Sequence, residues 1–229
     1  IPAERPVGRR SEDRRPDEAG TGQQALRSRR HHGGSIAPPT FNGGRGSRGA
    51  GTVRPRNFLS AAAQRDHMEL RLADPDDAAA IREVARASWD VDYPDIVSRE
   101  TIPDAVEEWY AVDHLQSELA RPDSIVALAT AGDEVEGFAH ATVDGEVGYV
   151  LRLYVAPDSR GEGVGSDLLA VTIDELAARG VDRVRAMVLA ANDPGNAFYR
   201  AAGFSRVDSA ETVVGGEPHE ETVYERSLE

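Results

Sequence analysis

Neither cysteine nor lysine occurs among the 229 residues. The first absence excludes disulfides, thiolate metal sites and a cysteine nucleophile. The second excludes the P-loop, which needs a lysine on the phosphates, and Schiff-base chemistry, pyridoxal phosphate included. Aromatic residues are sparse, at 6%. No apolar run approaches the roughly 18 residues a membrane-spanning helix needs. The expectation is a soluble, cytoplasmic protein.

All 26 basic side chains are arginine, against 40 acids, a formal balance of −14. They are unevenly distributed. Residues 1–67 hold 13 arginines and 6 acids, a net of +7, whereas residues 68–229 hold 13 arginines and 34 acids, a net of −21. The first segment has Arg-Arg and Gly-Gly pairs and almost no periodic apolar pattern, so it cannot bury enough surface to offset its ordering entropy. It is expected to be a disordered arm or a spurious upstream extension, since the chain opens on Ile1 and its first methionine is Met68. A basic arm for nucleic acid is the third reading, weakened by having only Phe41 and Phe58 as aromatics. The apolar core of a secretory signal is not seen there. The acidity of residues 68–229 repels a nucleic-acid backbone and fits a halophile-like surface.

Along residues 68–229 the pattern predicts a mixed sheet in the order β-α-α-β-β-β-α-β-α-β-β. A short strand at Glu69–Leu72 leads to the cap Asp74-Pro75 and a helix with Ile81 and Val84 on its apolar face. Trp89 to Ile102 is expected as a loop or short helix, and Val106 to Ala120 as one helix. Three strands follow, at Ser124–Thr130, Val135–Val143 and Val147–Val155, joined by turns at Gly132 and Asp144-Gly145. Val164, Leu168, Leu169, Ile173 and Leu176 mark a helix closed by Arg179-Gly180. Val181–Ala190 reads as a buried strand, Asn192 opens a short helix, and Ser205–Glu229 reads as a hairpin.

The stretch that carries chemistry is strand, glycine-rich turn, helix, from Leu153 to Gly165. A helix start leaves backbone N–H groups without partners and carries partial positive charge, which makes it an anion site. Glycines let phosphate oxygens approach, and Arg160 adds a cation. The dinucleotide fingerprint fails, because Ser166 stands where its third glycine belongs. A glycine-rich turn without a ligand is the plain alternative.

Arg160-Gly161-Glu162-Gly163-Val164-Gly165 resembles the R/Q-x-x-G-x-G/A loop of the GNAT superfamily of acetyl-CoA-dependent N-acetyltransferases. Leu153-Tyr154-Val155-Ala156-Pro157 is similar to that family's strand end. Asn192, Ala197, Phe198, Tyr199 and Gly203-Phe204 resemble its N-x-x-A-x-x-[FL]-Y-x-x-x-G-F segment, with Gly195 in place of the usual alanine. The resemblance covers roughly residues 68–229. It implies an α/β fold with a central, mostly antiparallel sheet flanked by helices, holding acetyl-CoA between two splayed parallel strands. Backbone groups of Leu153, Tyr154 and Val155 would pair with the pantetheine arm. Amides of Arg160, Gly161, Glu162, Gly163, Val164 and Gly165, with Ser166, would hold the pyrophosphate. Asn192 would touch the cofactor, and Tyr199 would face the sulfur as general acid.

The implied reaction is acetyl transfer to a primary amine, without a metal; the six histidines show no ligand spacing. The acceptor would be a small-molecule amine or a protein N-terminus. A GNAT-fold module that senses acyl-CoA without catalysis is the alternative from another class. The base stays open. Many relatives place a Glu in the strand before the loop, where this chain has Arg152. Glu107, Glu108 and Asp92 read as solvated surface charges. Trp89, Tyr93, Trp109 and Tyr110 either wall the acceptor pocket or simply cover the sheet. The oligomeric state is open, a homodimer included.

Overall fold

A computed structural model of the chain describes residues 68–94, 96, 100–214 and 216–228. The expectation for residues 1–67 lies outside the described residues. The described elements are β1 (Met68–Leu72), α1 (Ala78–Asp92), α2 (Thr101–Tyr110), α3 (Val112–Leu119), β2 (Ser124–Ala131), β3 (Glu134–Asp144), β4 (Val147–Val155), α4 (Val164–Ala178), β5 (Arg183–Leu189), α5 (Asp193–Ala201), β6 (Ser205–Val214) and β7 (Glu217–Ser227). Single 3-10 turns at Pro75–Asp77 and Pro157–Ser159 lead into the helical stretches that follow them. The strands form one sheet in the order β1-β2-β3-β4-β5-β7-β6. Every neighbouring pair is antiparallel except β4–β5, which α4 connects as a crossover. The mixed sheet flanked by helices is the expected architecture.

The first helical region departs from the sequence reading. The Trp89–Ile102 stretch is partly helical, since α1 continues through Trp89 to Asp92 and α2 starts at Thr101. The single helix expected over Val106–Ala120 is two, parted at Ala111, whose φ of −53° and ψ of 133° are not helical. Pro103 falls within the first turn of α2, where a missing N–H costs nothing because it would have no carbonyl partner. The break left no trace in the apolar pattern. Trp109, Tyr110 and Leu115 on either side of it enter the same core.

Side-chain alternation along the strands divides the core into two layers. On one face, Leu168, Leu169 and Leu176 of α4 pack with Leu153, Val184, Val188 and, from α5, Tyr199. Helix α4 lies close at Gly148, where an added Cβ would come within 2.7 Å of Leu176. On the other face, α1, α2 and α3 cover Leu128, Phe138 and Tyr154 with Ile81, Val84, Trp89 and Trp109. Burying side chains of this size contributes roughly 1.5–3 kcal/mol each.

Candidate functional site

The site begins where β4 and β5 part. They pair in parallel only from Val147 opposite Arg183 to Val150 opposite Ala186. At that level β4 carries a bulge: His140 faces Arg152 and Ala141 faces Val150, which leaves Leu151 as the extra residue. A bulge bends its strand and increases the twist, so β4 turns away from β5. It also resets the alternation, and Val150 and Leu153, three residues apart, enter the same core layer. Beyond it, Leu151–Val155 and Met187–Leu189 continue as the two sides of a wedge.

Hydrogen bonding assigns the backbone on the β4 side. The Ala156 N–H donates to the Glu136 carbonyl at 2.7 Å, and Gly137 lies opposite Val155. Antiparallel pairs alternate between bonded and non-bonded, so Tyr154 turns its backbone to β3, while Leu153 and Val155 turn theirs into the wedge. Of the three residues expected along a pantetheine arm, two have their backbone groups there and Tyr154 does not. The Val155 carbonyl accepts from Arg160 Nε at 2.9 Å and from Ser88 Oγ at 3.3 Å. Its N–H and the backbone of Leu153 are the groups best placed for a ligand.

The loop from Arg160 to Gly165 closes the wedge at the start of α4. Gly161 and Gly163 have φ of 80° and 93°. A Cβ on either would meet no atom within 4 Å, so backbone conformation alone demands glycine. The Gly163 carbonyl accepts from the N–H of Ser166 at 2.9 Å and of Asp167 at 3.0 Å. The N–H groups of Val164 and Gly165 lie in the first turn, ahead of any helical acceptor. Ser159 donates to the Glu136 carboxylate and holds the loop to β3. Glu162 and Ser166 add no cation. A cavity of about 220 Å³ beside the loop, lined by Met68, Leu70, Glu162, Val164 and Asp167, faces two carboxylates and does not suit a phosphate.

Arg160 does not stand at the rim of that loop as a cation. Its guanidinium is bidentate on Asp92, at 2.7 and 2.9 Å. Those side chains are only 10% and 3% exposed. Asp92 is therefore a buried partner, contrary to the expectation of a solvated charge. Glu107 and Glu108 are exposed as expected, and Glu107 pairs with Arg82.

On the β5 side, Asn192 caps α5 by accepting the Gly195 N–H at 3.0 Å. Asn196, which the motif did not single out, donates to the carbonyls of Leu189 at 3.0 Å and Asn192 at 2.7 Å, and accepts from the Tyr224 hydroxyl at 3.0 Å. It fixes the end of β5 to the helix that carries Tyr199. Tyr199 is fully buried, with Phe198, Phe204 and Tyr224 around it at ring distances of 5.2, 5.3 and 6.1 Å.

The four aromatics of the helical face cover the sheet. Trp89 stacks on Tyr93 at 4.3 Å and meets Trp109 edge-on at 5.4 Å, and all of them, with Tyr110, are buried. Trp89 Nε1 donates to the Tyr154 hydroxyl at 3.1 Å. Beside them lies a polar cluster. Arg152 donates to Glu118 at 2.7 Å and stands 5.0 Å over the Tyr110 ring, and Ser124 Oγ lies 3.0 Å from His140 Nε2. Burial, then the Arg152 charge, pushes His140 down to about 3, so the ring is neutral. Burial pushes the Glu118 carboxyl up, but the Arg152 charge, its hydrogen bond and the neighbouring histidines together outweigh that, and the net shift is downward. With Glu118 committed to it, Arg152 is a buried structural cation.

The bulged, splayed parallel pair with a glycine-bounded helix start at its open end is the arrangement that the GNAT resemblance implies, and the sequence profile of the Acetyltransferase (GNAT) family matches residues 78–204. The chain belongs to this family and is an acetyltransferase that uses acetyl-CoA. It is 29% identical to spermidine N(1)-acetyltransferase of Thermoplasma acidophilum over 146 residues, 62% of this chain and 91% of that protein. It is 42% identical to mycothiol acetyltransferase of Clavibacter sepedonicus over 83 residues, 36% of this chain and 27% of the other. Among solved structures, the PaiA N-acetyltransferase of Thermoplasma acidophilum in complex with coenzyme A is similar, with a TM-score of 0.63 and 27% identity over 70% of this chain and 99% of that one. No group of three or more His, Asp or Glu able to hold a metal occurs among the described residues. No helix among them is long and apolar enough to cross a membrane.

Proposed function

We propose that the chain transfers the acetyl group of acetyl-CoA to a primary amine of a small molecule, with Tyr199 as the acid that protonates the leaving sulfur. The observation that carries this reading is the wedge, with the backbones of Leu153 and Val155 on one side, Tyr199 behind the other, and the start of α4 at its mouth. The pantetheine would run along Leu153 and Val155 as an added strand. The pyrophosphate would rest on the amides from Arg160 to Gly165, including those of Glu162 and Val164, with the Ser166 hydroxyl at the edge. Asn192 would support the cofactor from the start of α5.

An alkylammonium, with a pKa near ~10.4, must lose a proton before it can attack. A backbone N–H of the wedge would polarise the thioester carbonyl and hold the oxyanion. The thiolate, whose conjugate thiol has a pKa of roughly 8.5, then takes the Tyr199 proton. A small cationic acceptor is favoured by the acidity of residues 68–229, 34 acids against 13 arginines. The similarity to a spermidine acetyltransferase supports the same choice. The same acidity fits a chain that stays soluble in salt.

The test is release of free CoA from acetyl-CoA in the presence of a panel of polyamines, aralkylamines and peptides with free N-termini. Turnover with the small amines is expected. Turnover with the peptides alone would move the acceptor to protein N-termini. CoA binding without turnover of any amine would leave a binding module.

A further inference from the structure

One carboxylate near the wedge has no role in the arrangement so far. Glu221 lies on β7 opposite Leu189, the last residue of β5, and opposite Ala210 of β6. It is 5% exposed, and among the described residues its carboxylate makes no hydrogen bond or ion pair. The Ala190 N–H donates to the Glu220 carbonyl at 2.8 Å. Leu189 and Glu221 are therefore the adjacent non-bonded pair, whose side chains stand closest on one face of the sheet. That face is the one on which Leu189, Val214 and Tyr154 join the α1–α3 core, and it is opposite the face that holds Tyr199. Glu221 thus stands on the strand next to the one that forms the far side of the wedge, about 5 Å away backbone to backbone.

We propose that Glu221 is the proton acceptor of the reaction, taking a proton from the acceptor ammonium directly or through one water on the face of the sheet opposite Tyr199. This inference rests on the acetyl-transfer reading. The ammonium gives one proton to the carboxylate and becomes the free amine. The nitrogen lone pair then forms the C–N bond to the thioester carbon, and the C–S bond breaks with its electron pair on sulfur. The sulfur takes the Tyr199 proton, and the nitrogen loses its second proton as the amide forms, which restores the tyrosine. The proton on Glu221 leaves to solvent. Base and acid then act from opposite faces of the sheet, so neither blocks the other's access to the reacting carbon.

The surroundings suit a base. Burial alone pushes the Glu221 carboxyl up to about 7, with no charge of either sign acting on it. A carboxylate at that value is ionised in part at neutral pH and holds a proton far better than an exposed one. The groups nearest on its face are Leu189 and Met187 on β5, Asp208, Ala210 and Thr212 on β6, and His219 and Val223 on β7. His219 and Asp208 are the titratable groups among them, and the buried Nε2 of His219 has no hydrogen-bond partner among the described residues. Arg185, further down the same face, is held by Glu225 at 2.6 Å. Arg152 and Glu118, across the wedge, are committed to each other.

The test compares full-length wild type with Glu221→Gln and Glu221→Asp, reading kcat, kcat/KM against pH, and CoA affinity by calorimetry. Gln keeps the shape without the charge and should fold. The expected result is a loss in kcat of about 10²-fold or more in the Gln variant, with CoA affinity unchanged. The acidic limb near pH 7 should vanish in that variant, and Asp should restore part of the rate. Wild-type kcat and an intact limb in the Gln variant would overturn the role of Glu221 and leave the acetyl-transfer reading standing. A wild-type protein that binds CoA and acetylates no amine would overturn both. A uniform loss of CoA affinity and rate, with no change in the pH profile, would make Glu221 structural and overturn the proposal.

Discussion

Arg160 and Asp92 are 68 residues apart in sequence and joined by two hydrogen bonds of 2.7 and 2.9 Å, one from each terminal guanidinium nitrogen. The pair ties the cofactor loop to the end of α1, and the third guanidinium donor goes to the Val155 carbonyl at the end of β4. One side chain therefore sets the position of helix, strand and loop relative to each other. A buried pair of this kind costs most when half of it is removed, because the remaining charge stays desolvated. Asp92→Asn is expected to lower stability by about 3 kcal/mol, read from urea unfolding, and to weaken CoA binding by loosening the loop. A fully stable variant with wild-type CoA affinity would show that the pair has no part in holding the loop.

Gly163→Asp should weaken CoA binding by more than tenfold while leaving the fold in place. The residue sits at φ 93° with nothing within 4 Å of an added Cβ. The fold then suffers only the roughly 1–2 kcal/mol of a left-handed non-glycine residue. The ligand meets a negative charge where its pyrophosphate would rest. Calorimetry measures the first effect and thermal unfolding the second. Unchanged affinity would mean that the loop does not hold the cofactor.

Much of this arrangement could be read from the sequence, and what escaped has a common cause. The strand, loop and α4 were legible because glycine positions and 3.6-residue periodicity are local. The role of Arg160 was not. An arginine beside a phosphate loop and an arginine buried on Asp92 look alike in sequence, and the partner is 68 residues away. The Leu151 bulge, which opens the wedge, depends on register against His140 and Ala141. Glu221 sits among Glu217, Glu220 and Glu225 in an acidic hairpin, and only the pairing with Leu189 sets it apart. The Trp89 and Trp109 cluster was legible as aromatic, but whether it lined a pocket or filled a core depended on how tightly three helices close.

Acid should destabilise the protein in a window set by His140 and Glu118. The folded-state value of His140 is pushed down to about 3, so the unfolded chain binds the proton more readily. Its contribution is fully present above about pH 6.5 and is lost as pH falls towards 3. Glu118, also shifted down, adds to the loss below its ordinary range. Glu221 acts the other way. Its folded value is raised to about 7, so stability falls as pH rises from about 4.5 to 7. Urea midpoints between pH 4 and 8 would show both. In His140→Gln the loss between pH 6.5 and 4 should shrink, and an unchanged profile would remove His140 as its source.

A shortened chain beginning at Met68 is expected to fold and to bind CoA like the full chain. The charge shifts from a net of +7 to −21 at that point, and the described sheet with its two core layers begins at Met68. Thermal unfolding and calorimetry of the two chains side by side provide the check. Loss of the cooperative transition on shortening would give residues 1–67 a structural part.

Tyr199→Phe should lower turnover while leaving CoA affinity and stability close to wild type. The ring packs against Phe198, Phe204 and Tyr224. Phenylalanine keeps these contacts and removes one oxygen. If the hydroxyl protonates the leaving thiolate, its loss should cost about 10²-fold or more in kcat, within the usual range for general acid catalysis. The deficit should shrink with an acyl donor whose thiol has a lower pKa, because that thiolate needs less help to leave. It should also be independent of the Glu221 limb. The acid acts on sulfur after attack, whereas the base acts on nitrogen before it, so the pH profile of the variant should keep its acidic side while the whole curve drops. Wild-type turnover in the variant, measured where chemistry limits the rate, would remove Tyr199 from the mechanism. The sulfur would then take its proton from water, and the tyrosine would serve only to pack α5 against the sheet.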